Sequence, residues 1–347
     1  MLKLLNFKRG IRLCLVLVFL LQSCNQNSSS NTQYPFIFSG PVMGTSFSIK
    51  ATSLPVEQNA KQVKAAVKTL LEHLNSEMSS YLIDSEVSRF NNSLTTEWQP
   101  VSDELYTVVK AAKRVSDLSN GAFDITVAPL VNIWGFGPDP MTFKEPDAAI
   151  IKQQLNQIGY RNLKLKGHSK ALRKLIPEIE IDLSALAKGY TVDRVAQLLE
   201  NFGINDYLVE IGGELRLKGL NINKEPWRIA IEEPLANKRT VHKIIPISDV
   251  AMATSGDYRN FFEVNGIRYS HTIDPRTGRP VAHKLASVTV LSSQAMQADA
   301  LATAMMVLGE DKGYKLAEKE KIAALFLVKT DTGFAEKVTS EFNNFKR

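Results

Sequence analysis

The sequence predicts an α+β fold in which mixed or antiparallel sheets pack against helices. The predicted strands and helices follow one another without the regular β-α-β alternation of a doubly wound parallel sheet. The chain has 347 residues, of which 44% are hydrophobic, and this is enough to bury a large core. Charged residues make up 22%, and the 19 glycines and 14 prolines are ordinary numbers, so the composition excludes an intrinsically disordered protein.

The first half of the predicted domain contains one hairpin and four helices. Alternating apolar residues from Phe36 onward predict a hairpin turned at Gly40-Pro41 and Gly44. Apolar residues at helical spacing predict the helices, most of which a glycine ends. The four helices are predicted at Val56–Ser76, Asp103–Leu118, Asp147–Ile158 and Ser184–Phe202.

The second half is predicted to be richer in strands. Gly212-Gly213 turns a hairpin or bent strand within Ile204–Leu217. A helix rich in small residues is predicted at Ser293–Leu308, with Gly309 as its stop. Further strands are predicted at Trp227–Glu232, Val241–Ile247, Phe261–Tyr269 and Ala323–Lys329.

The first 35 residues predict export and a lipid anchor. Residues 1–23 begin with basic residues and continue into the apolar run Leu13–Leu21, which is too short to span a bilayer. The stretch Leu21-Gln22-Ser23-Cys24 is similar to a lipobox, so 1–23 is interpreted as a lipoprotein signal peptide and Cys24 as the lipidated residue. An uncleaved anchor helix is the alternative. Residues 24–35 are polar and typical of a flexible tether.

The predicted folded domain, 36–340, contains no cysteine, because Cys14 and Cys24 are the two cysteines of the chain. This excludes a disulfide, a thiolate nucleophile and a cysteine-ligated zinc site from the domain. The last residues, 341–347, are polar and predict a frayed tail.

The charge of the chain gives little support for a nucleic-acid partner. The net charge is +6, but four basic residues lie in the predicted signal peptide, and without them the excess of basic over acidic residues falls from six to two. No basic stripe interleaved with aromatic residues follows, so we expect no nucleic-acid binding. The four residues are Lys3, Lys8, Arg9 and Arg12.

The segment Ile181–Tyr190 is a candidate phosphate-binding site. A strand end leads into a helix start here, with Asp182 or Ser184 as a candidate cap. Free amides at a helix N-terminus attract phosphate, small side chains let a ligand approach, and Lys188 adds a positive charge. The alternative is an ordinary capped helix with an exposed lysine.

The segment Gln297–Thr303 is a candidate metal site. Asp299 and Thr303 are four residues apart on a predicted helix, so their side chains share one face. Carboxylate and hydroxyl oxygens suit Mg²⁺, which usually takes one or two carboxylates and completes its coordination with phosphate and water. The alternative is a solvated aspartate beside a threonine that bonds to its own helix.

A histidine precedes the turn in Tyr269–Gly278. His271 is a candidate acceptor for a hydroxyl proton, because the ordinary histidine pKa lies near working pH. A histidine packed at a strand end is the alternative.

Three further segments place flat or soft side chains beside glycines or turns: Val42–Thr45, Met78–Tyr81 and Gly121–Asp124. Methionine and tyrosine can enclose a ring system, and a Gly-Ala pair lets a ligand approach the backbone. In most proteins such residues belong to the core.

Together and in this order, the segments resemble the ApbE family, the FAD:protein FMN transferases. The resemblance covers nearly all of the chain after the predicted tether and implies a T-fold-related architecture. The segments that carry it are Pro41–Thr45, Met78–Tyr81, Asp84–Asn91, Gly121–Leu130, Trp134–Gly137, Asp182–Tyr190, Glu210–Glu214, Ala253–Gly256, His271–Pro275 and Ala298–Ala304.

The resemblance implies an enzyme that binds FAD and Mg²⁺ and transfers FMN to a threonine or serine hydroxyl of another protein, with AMP as the leaving group. The metal would be bound by Asp299, Thr303 and the backbone carbonyl of Ala185. His271 is the candidate base, with Asp274 as second choice. FAD would be held by Met43, Tyr81, Ala122, Phe123, Asp124, Asp182, Lys188 and Ile273.

Two small residues limit the implied metal site. Ala185 offers only its carbonyl oxygen, and Ala302 offers no hydroxyl beside Thr303. The site therefore depends on Asp299 and Thr303, completed by water and phosphate.

Two other functions fit the same sequence. One is an FAD pyrophosphatase that passes FMN to water, and the other is a non-catalytic periplasmic FAD-binding lipoprotein. For a transferase, the implied partners are acceptor flavoprotein subunits of exported redox complexes, such as those of Na⁺-translocating NADH:quinone reductase type. We expect the periplasmic face of a bacterial membrane, with the outer membrane preferred because Asn25 follows Cys24.

Overall fold

The computed structural model describes residues 35–345, apart from 138–142, 237, 259 and 265. The predicted signal peptide, Cys24 and all of the tether except Pro35 lie outside the described residues. All described residues belong to one compact unit. Among the described helices, none is both long enough and apolar enough to cross a membrane.

The elements alternate irregularly along the chain. The strands are β1 (Phe36–Val42), β2 (Thr45–Ala51), β3 (Gln99–Pro100), β4 (Leu163–Lys166), β5 (Ala171–Lys174), β6 (Tyr207–Ile211), β7 (Glu214–Lys218), β8 (Trp227–Glu232), β9 (Val241–Ile247), β10 (Val250–Gly256), β11 (Phe261–Val264), β12 (Ile267–Ser270), β13 (Ile273–Asp274), β14 (Arg279–Pro280), β15 (Leu285–Ser292), β16 (Ala323–Thr330) and β17 (Gly333–Val338). The helices are α1 (Ala60–Met78), α2 (Glu86–Asn92), α3 (Asp103–Leu118), α4 (Ala128–Ile133), α5 (Ala148–Leu155), α6 (Ala187–Asn201), α7 (Ala295–Lys319) and α8 (Ser340–Asn344).

Eight strands form one antiparallel sheet in the order β1-β2-β6-β7-β10-β15-β16-β17. Helices α6 and α7 pack against this sheet, and α1 and α3 pack against those two helices. Hairpin β8–β9 and α8 share a second core with the sheet, in which Trp227 and Phe342 are buried with Leu217 and Leu325. Mixed helices and antiparallel sheets confirm the predicted α+β class.

Helix α3 shows how local sequence sets the bounds of an element. The Ser102 hydroxyl accepts the N–H of Leu105 at its start, 3.0 Å away. After Leu118 the chain turns through Asn120 and Gly121, whose φ values are 51° and 78°. The predicted bounds Asp103–Leu118 are confirmed.

Helix α6 starts later than predicted. It begins at Ala187 rather than Ser184, and its N-cap is Leu186, so neither Asp182 nor Ser184 is the cap. The Asp182 carboxylate instead accepts the N–H of Ser184 in the turn before the helix, 2.8 Å away. Helix α1 also starts later than predicted, because Asn59 is its N-cap.

Three predicted elements have different bounds in the structure. The predicted strand Phe261–Tyr269 is the hairpin β11–β12, turned at Gly266 with φ 75°. Gly309, with φ 79°, interrupts α7 at the predicted stop, but the helix resumes and ends at Lys319. The helix predicted to extend to Ile158 ends at Leu155.

The predicted frayed tail is wrong for residues 341–345. Helix α8 forms there because the Thr339 hydroxyl accepts the N–H of Phe342, whose side chain is fully buried.

Two central strands, β10 and β15, are not among the predicted elements. Their buried runs are continuous, so they lack the alternation that identifies a half-exposed strand.

Helices α6 and α7 cross closely, and the crossing positions the candidate metal residues. A Cβ atom at Gly189 would lie 2.5 Å from the carbonyl oxygen of Ala295 and 2.8 Å from the Cα of Met296. One turn further along α6, Asp193 accepts the N–H groups of Ala295 and Met296 at 2.9 and 3.0 Å. A helix start leaves such N–H groups without an internal partner, so Asp193 caps α7 from outside.

We expect Gly189→Ala to destabilise the protein by about 1–3 kcal/mol, because the atoms that the new methyl group meets are backbone and cannot rotate away. Urea unfolding, monitored by circular dichroism, should show this loss of stability as a lower urea concentration at the midpoint of unfolding. Gln197→Ala on the exposed side of α6 is the control and should change stability by less than about 0.5 kcal/mol. Equal midpoints for Gly189→Ala and the unchanged chain would contradict the close crossing.

Candidate active site

A cavity of about 910 Å³ lies beside the α6–α7 crossing. Its size is near the upper end of the roughly 300–1,000 Å³ of small-molecule and cofactor sites, so it suits a dinucleotide-sized ligand. Most of the predicted site residues lie in its wall. These are Tyr81, Ala122, Phe123, Asp124, Asp182, Ala185, Lys188, His271, Ile273, Asp299 and Thr303.

Asp299 and Thr303 lie on the cavity side of α7, as their spacing predicts. The Asp299 side chain is almost fully buried, and one of its oxygens accepts the N–H of Gly189 at 3.1 Å. Burial raises the pKa of Asp299 above the ordinary value, and Lys188 partly offsets this rise. The Thr303 hydroxyl lies 3.0 Å from the Ser255 hydroxyl of β10, so a pair of hydroxyl oxygens lies in the cavity wall near this carboxylate.

Lys188 projects into the same part of the cavity. Its ammonium group donates to the carbonyl of Ser184 at 3.1 Å and lies 3.6 Å from a carboxylate oxygen of Glu214. Burial alone would lower the pKa of Lys188, but Asp299 and Glu214 raise it above the ordinary lysine value. Lys188 is therefore a permanently charged cation in the wall of the cavity, and the alternative of an ordinary exposed lysine is wrong.

Glu214 is a site residue that the sequence reasoning did not single out. It is 4% exposed and lines the cavity, and burial raises the pKa of its carboxyl group despite Lys188 nearby. The turn Gly212-Gly213, with φ values of 62° and 104°, reverses the chain from β6 and places Glu214 at the start of β7. The Gly-Gly pair predicts this turn, but it does not indicate which side chain after the turn lies in the cavity wall.

His271 lies in the cavity wall with one ring nitrogen already engaged. Its Nδ1 lies 2.9 Å from the carbonyl oxygen of Asn260. A carbonyl oxygen only accepts, so Nδ1 carries the proton and neutral His271 keeps a lone pair on Nε2. Burial lowers the pKa of His271 below the ordinary value, more than the bond to Asn260 raises it. His271 is therefore mostly neutral at pH 7 and able to accept a proton.

Two predicted site residues lie outside the cavity wall. The Asp274 carboxylate is bound on both oxygens by the Arg276 guanidinium at 2.8 Å and also accepts the Arg276 N–H. This bidentate pair favours His271 over Asp274 as the base. Met43 has φ 47° in the turn between β1 and β2, and its sulfur accepts the Thr191 hydroxyl at 3.6 Å while the side chain packs against the main core.

Asp124 lies in the cavity wall, but its carboxylate is engaged within the fold. One oxygen accepts the N–H and the hydroxyl of Thr126, and the other accepts the N–H of Tyr160 at 2.8 Å. Asp124 therefore holds the loop after Ala122 in place at the cavity wall.

Tyr81 is 71% exposed at the cavity wall, so its ring is accessible to a ligand.

The sequence model of the ApbE family matches residues 43–326, which is most of the chain. The chain belongs to the ApbE family. An ApbE relative from Vibrio cholerae, named FAD:protein FMN transferase, is 49% identical over 311 residues that cover 88% of this chain and 91% of the relative. A relative of the same name from Salmonella typhimurium is 36% identical and covers 98% of both chains.

Solved ApbE structures share the fold. The flavin transferase ApbE from Vibrio cholerae superposes with a TM-score of 0.83 at 47% identity, covering 89% of this chain and 98% of that one. The flavinyl transferase ApbE from Pseudomonas stutzeri, in its apo form, superposes with a TM-score of 0.82 at 38% identity, covering 90% and 96%. These ApbE structures confirm the predicted ApbE-like architecture.

Proposed function

We propose that this chain is a Mg²⁺-dependent FAD:protein FMN transferase that attaches FMN to a threonine or serine of an acceptor protein and releases AMP. The names of its ApbE relatives support the transferase activity. The observation that carries the finer proposal is the grouping of Asp299, Thr303 and Lys188 in one wall of a cavity that also contains His271.

The side chains of the cavity fit FAD with Mg²⁺. Asp299 and Thr303 provide the hard oxygen atoms that Mg²⁺ prefers, and a second buried carboxylate, Glu214, lies close to Lys188. When bound, the metal would neutralise charge on the FAD diphosphate and on the departing AMP. Asp299, Thr303 and the carbonyl of Ala185 would hold it, while Lys188 would bind phosphate oxygens.

The residues of the chain would then do the work of positioning and proton transfer. The acceptor hydroxyl oxygen forms a new bond to the FMN phosphorus, and the bond from that phosphorus to the AMP oxygen breaks. Nε2 of His271 takes the hydroxyl proton, because Nδ1 is already held by Asn260. Lys188 stabilises negative charge on the phosphate oxygens as the bond breaks.

The proposed cellular location rests on the N-terminal sequence, and the proposed acceptors rest on the resemblance to the ApbE family. We propose that residues 1–23 direct export, that Cys24 is lipidated, and that the enzyme works at the periplasmic face of a bacterial membrane, preferably the outer membrane. The acceptors would be flavoprotein subunits of exported redox complexes, such as those of Na⁺-translocating NADH:quinone reductase type. Globomycin treatment of expressing cells tests the anchor, because it blocks lipoprotein signal cleavage and should leave a longer chain.

Incubation with FAD, Mg²⁺ and an acceptor domain tests the proposed activity. The chain from residue 25 onward is used, and flavin fluorescence of the denatured acceptor band is read together with its mass. A fluorescent acceptor heavier by one FMN, with AMP in solution and no reaction in EDTA, is expected. Free FMN and AMP with an unmodified acceptor would identify a pyrophosphatase instead, and intact FAD with every acceptor would identify a binding protein.

We expect the transfer rate to fall as pH falls, with a midpoint below the ordinary histidine pKa of about 6.5. Burial lowers the pKa of His271, and only neutral His271 accepts a proton. The transfer rate therefore rises with pH through that pKa and reaches its maximum above it. Single-turnover rates from pH 5 to pH 8 measure the midpoint. If the rate of His271→Ala rises with pH at the same midpoint, a group other than His271 causes the pH dependence.

A further inference from the structure

One buried carboxylate in the cavity wall has an oxygen without a partner. Among the described residues, Oε2 of Glu214 accepts no hydrogen bond, although the residue is 4% exposed. Its other oxygen, Oε1, lies 3.6 Å from the Lys188 ammonium. A buried polar oxygen without a partner destabilises the fold, so stability does not account for Glu214.

Two carboxylates dominate the electrostatic surroundings of Lys188. Asp299 and Glu214 are the groups whose charge acts most strongly on the Lys188 ammonium, and Asp182 adds to them. Acidic groups of the protein itself therefore surround Lys188. A diphosphate that entered without a divalent cation would have to compete with Glu214 for the Lys188 ammonium.

The Lys188 side chain passes close to the turn between β6 and β7. A Cβ atom at Gly212 would lie 3.1 Å from Cδ of Lys188 and 3.4 Å from Oε2 of Glu214, so the lysine stem passes directly over the turn that precedes Glu214. The ammonium also donates to the carbonyl of Ser184, which lies in the turn before α6. The ammonium thus has the Ser184 carbonyl and the Glu214 carboxylate as partners, and of these two only Glu214 is an acidic group.

We propose that Glu214 is a positioning residue that holds the Lys188 ammonium away from the diphosphate of FAD and so keeps FAD binding weak until a divalent cation is present. This role rests on the proposed function, because it assumes that FAD is the ligand of the cavity. Removing the charge of Glu214 frees Lys188 for the diphosphate. The metal-free affinity for FAD then rises.

Glu214→Gln tests this role, because glutamine keeps the size and removes the charge. We expect it to bind FAD in EDTA about tenfold more tightly than the unchanged chain, measured by quenching of flavin fluorescence. Glu214→Asp keeps the charge and should retain weak metal-free binding. Glu210→Gln, on the same hairpin but outside the cavity wall, should leave the affinity unchanged. Thermal unfolding checks that each variant is folded.

A double-mutant cycle shows whether Glu214 acts through Lys188. In a Lys188→Met background, Glu214→Gln should no longer tighten FAD binding in EDTA. An equal tightening in that background, or unchanged or weaker binding by the single variant Glu214→Gln, would overturn the positioning role. Failure of the unchanged chain to bind FAD even with Mg²⁺ would instead contradict the proposed function.

Discussion

Asp299→Asn is expected to lower the rate of FMN transfer by on the order of 10³-fold, because it removes the buried carboxylate proposed to hold Mg²⁺. Asparagine has nearly the same shape and can still accept the N–H of Gly189, so the crossing of α6 and α7 remains intact. Single-turnover transfer at increasing Mg²⁺ concentration measures the effect. We expect the residual activity to require more Mg²⁺ than the unchanged chain does.

Asp193→Asn is the matched control for this change. Asp193 is a partly buried carboxylate at the α6–α7 crossing, where it accepts two N–H groups of α7 and pairs with Arg216, but it lies outside the cavity wall. Its loss should lower the midpoint of thermal unfolding and leave the Mg²⁺ requirement unchanged. A normal rate and a normal Mg²⁺ requirement for Asp299→Asn would refute the metal assignment.

His271→Ala is expected to slow FMN transfer by about 10²–10⁴-fold, the range typical of a lost general base. FAD affinity should change little, because in the proposed mechanism His271 acts on the acceptor hydroxyl through Nε2 while Nδ1 is held by Asn260. Single-turnover transfer and FAD titration of the same preparation separate the two quantities. Added imidazole should restore part of the rate by replacing the missing base.

His242→Ala provides the control for a histidine outside the cavity. His242 lies on β9 and pairs with Glu336 at 3.1 Å, so its removal should leave the transfer rate unchanged. If His271→Ala loses FAD binding together with activity, His271 is structural and a different group accepts the proton.

Local patterns predicted the elements that depend on near neighbours in the chain. Helix α3 has its predicted bounds because its cap and its stop both lie within three residues of its ends. Asp299 and Thr303 share one face of α7 because four residues make about one helical turn. The Gly212-Gly213 hairpin follows equally from two adjacent glycines with positive φ. The resemblance to the ApbE family added residues such as Tyr81 and Ala185, which the cavity wall contains.

The sequence did not predict side-chain contacts that form across a turn or between distant parts of the chain. Asp274 stays the second candidate base, and only the structure shows that the turn pairs its carboxylate with Arg276. Phe342 lies in the predicted frayed tail, yet it is buried in a core that includes β7, β8, β9 and β10, which lie far from it in the sequence. Glu214 was passed over because nothing near it in sequence indicates Lys188, which lies on a different element.

The sequence by itself determined the family, the helix faces, the main turns and the chemical types of the site residues, because these depend on residue identity and short spacings. Only the tertiary structure decided which of those residues meet. The crossing of α6 and α7 brings Gly189 to Asp299, and the β6–β7 turn brings Glu214 to Lys188. Contacts of this kind depend on how whole elements pack, and packing is set by the shape of many side chains at once.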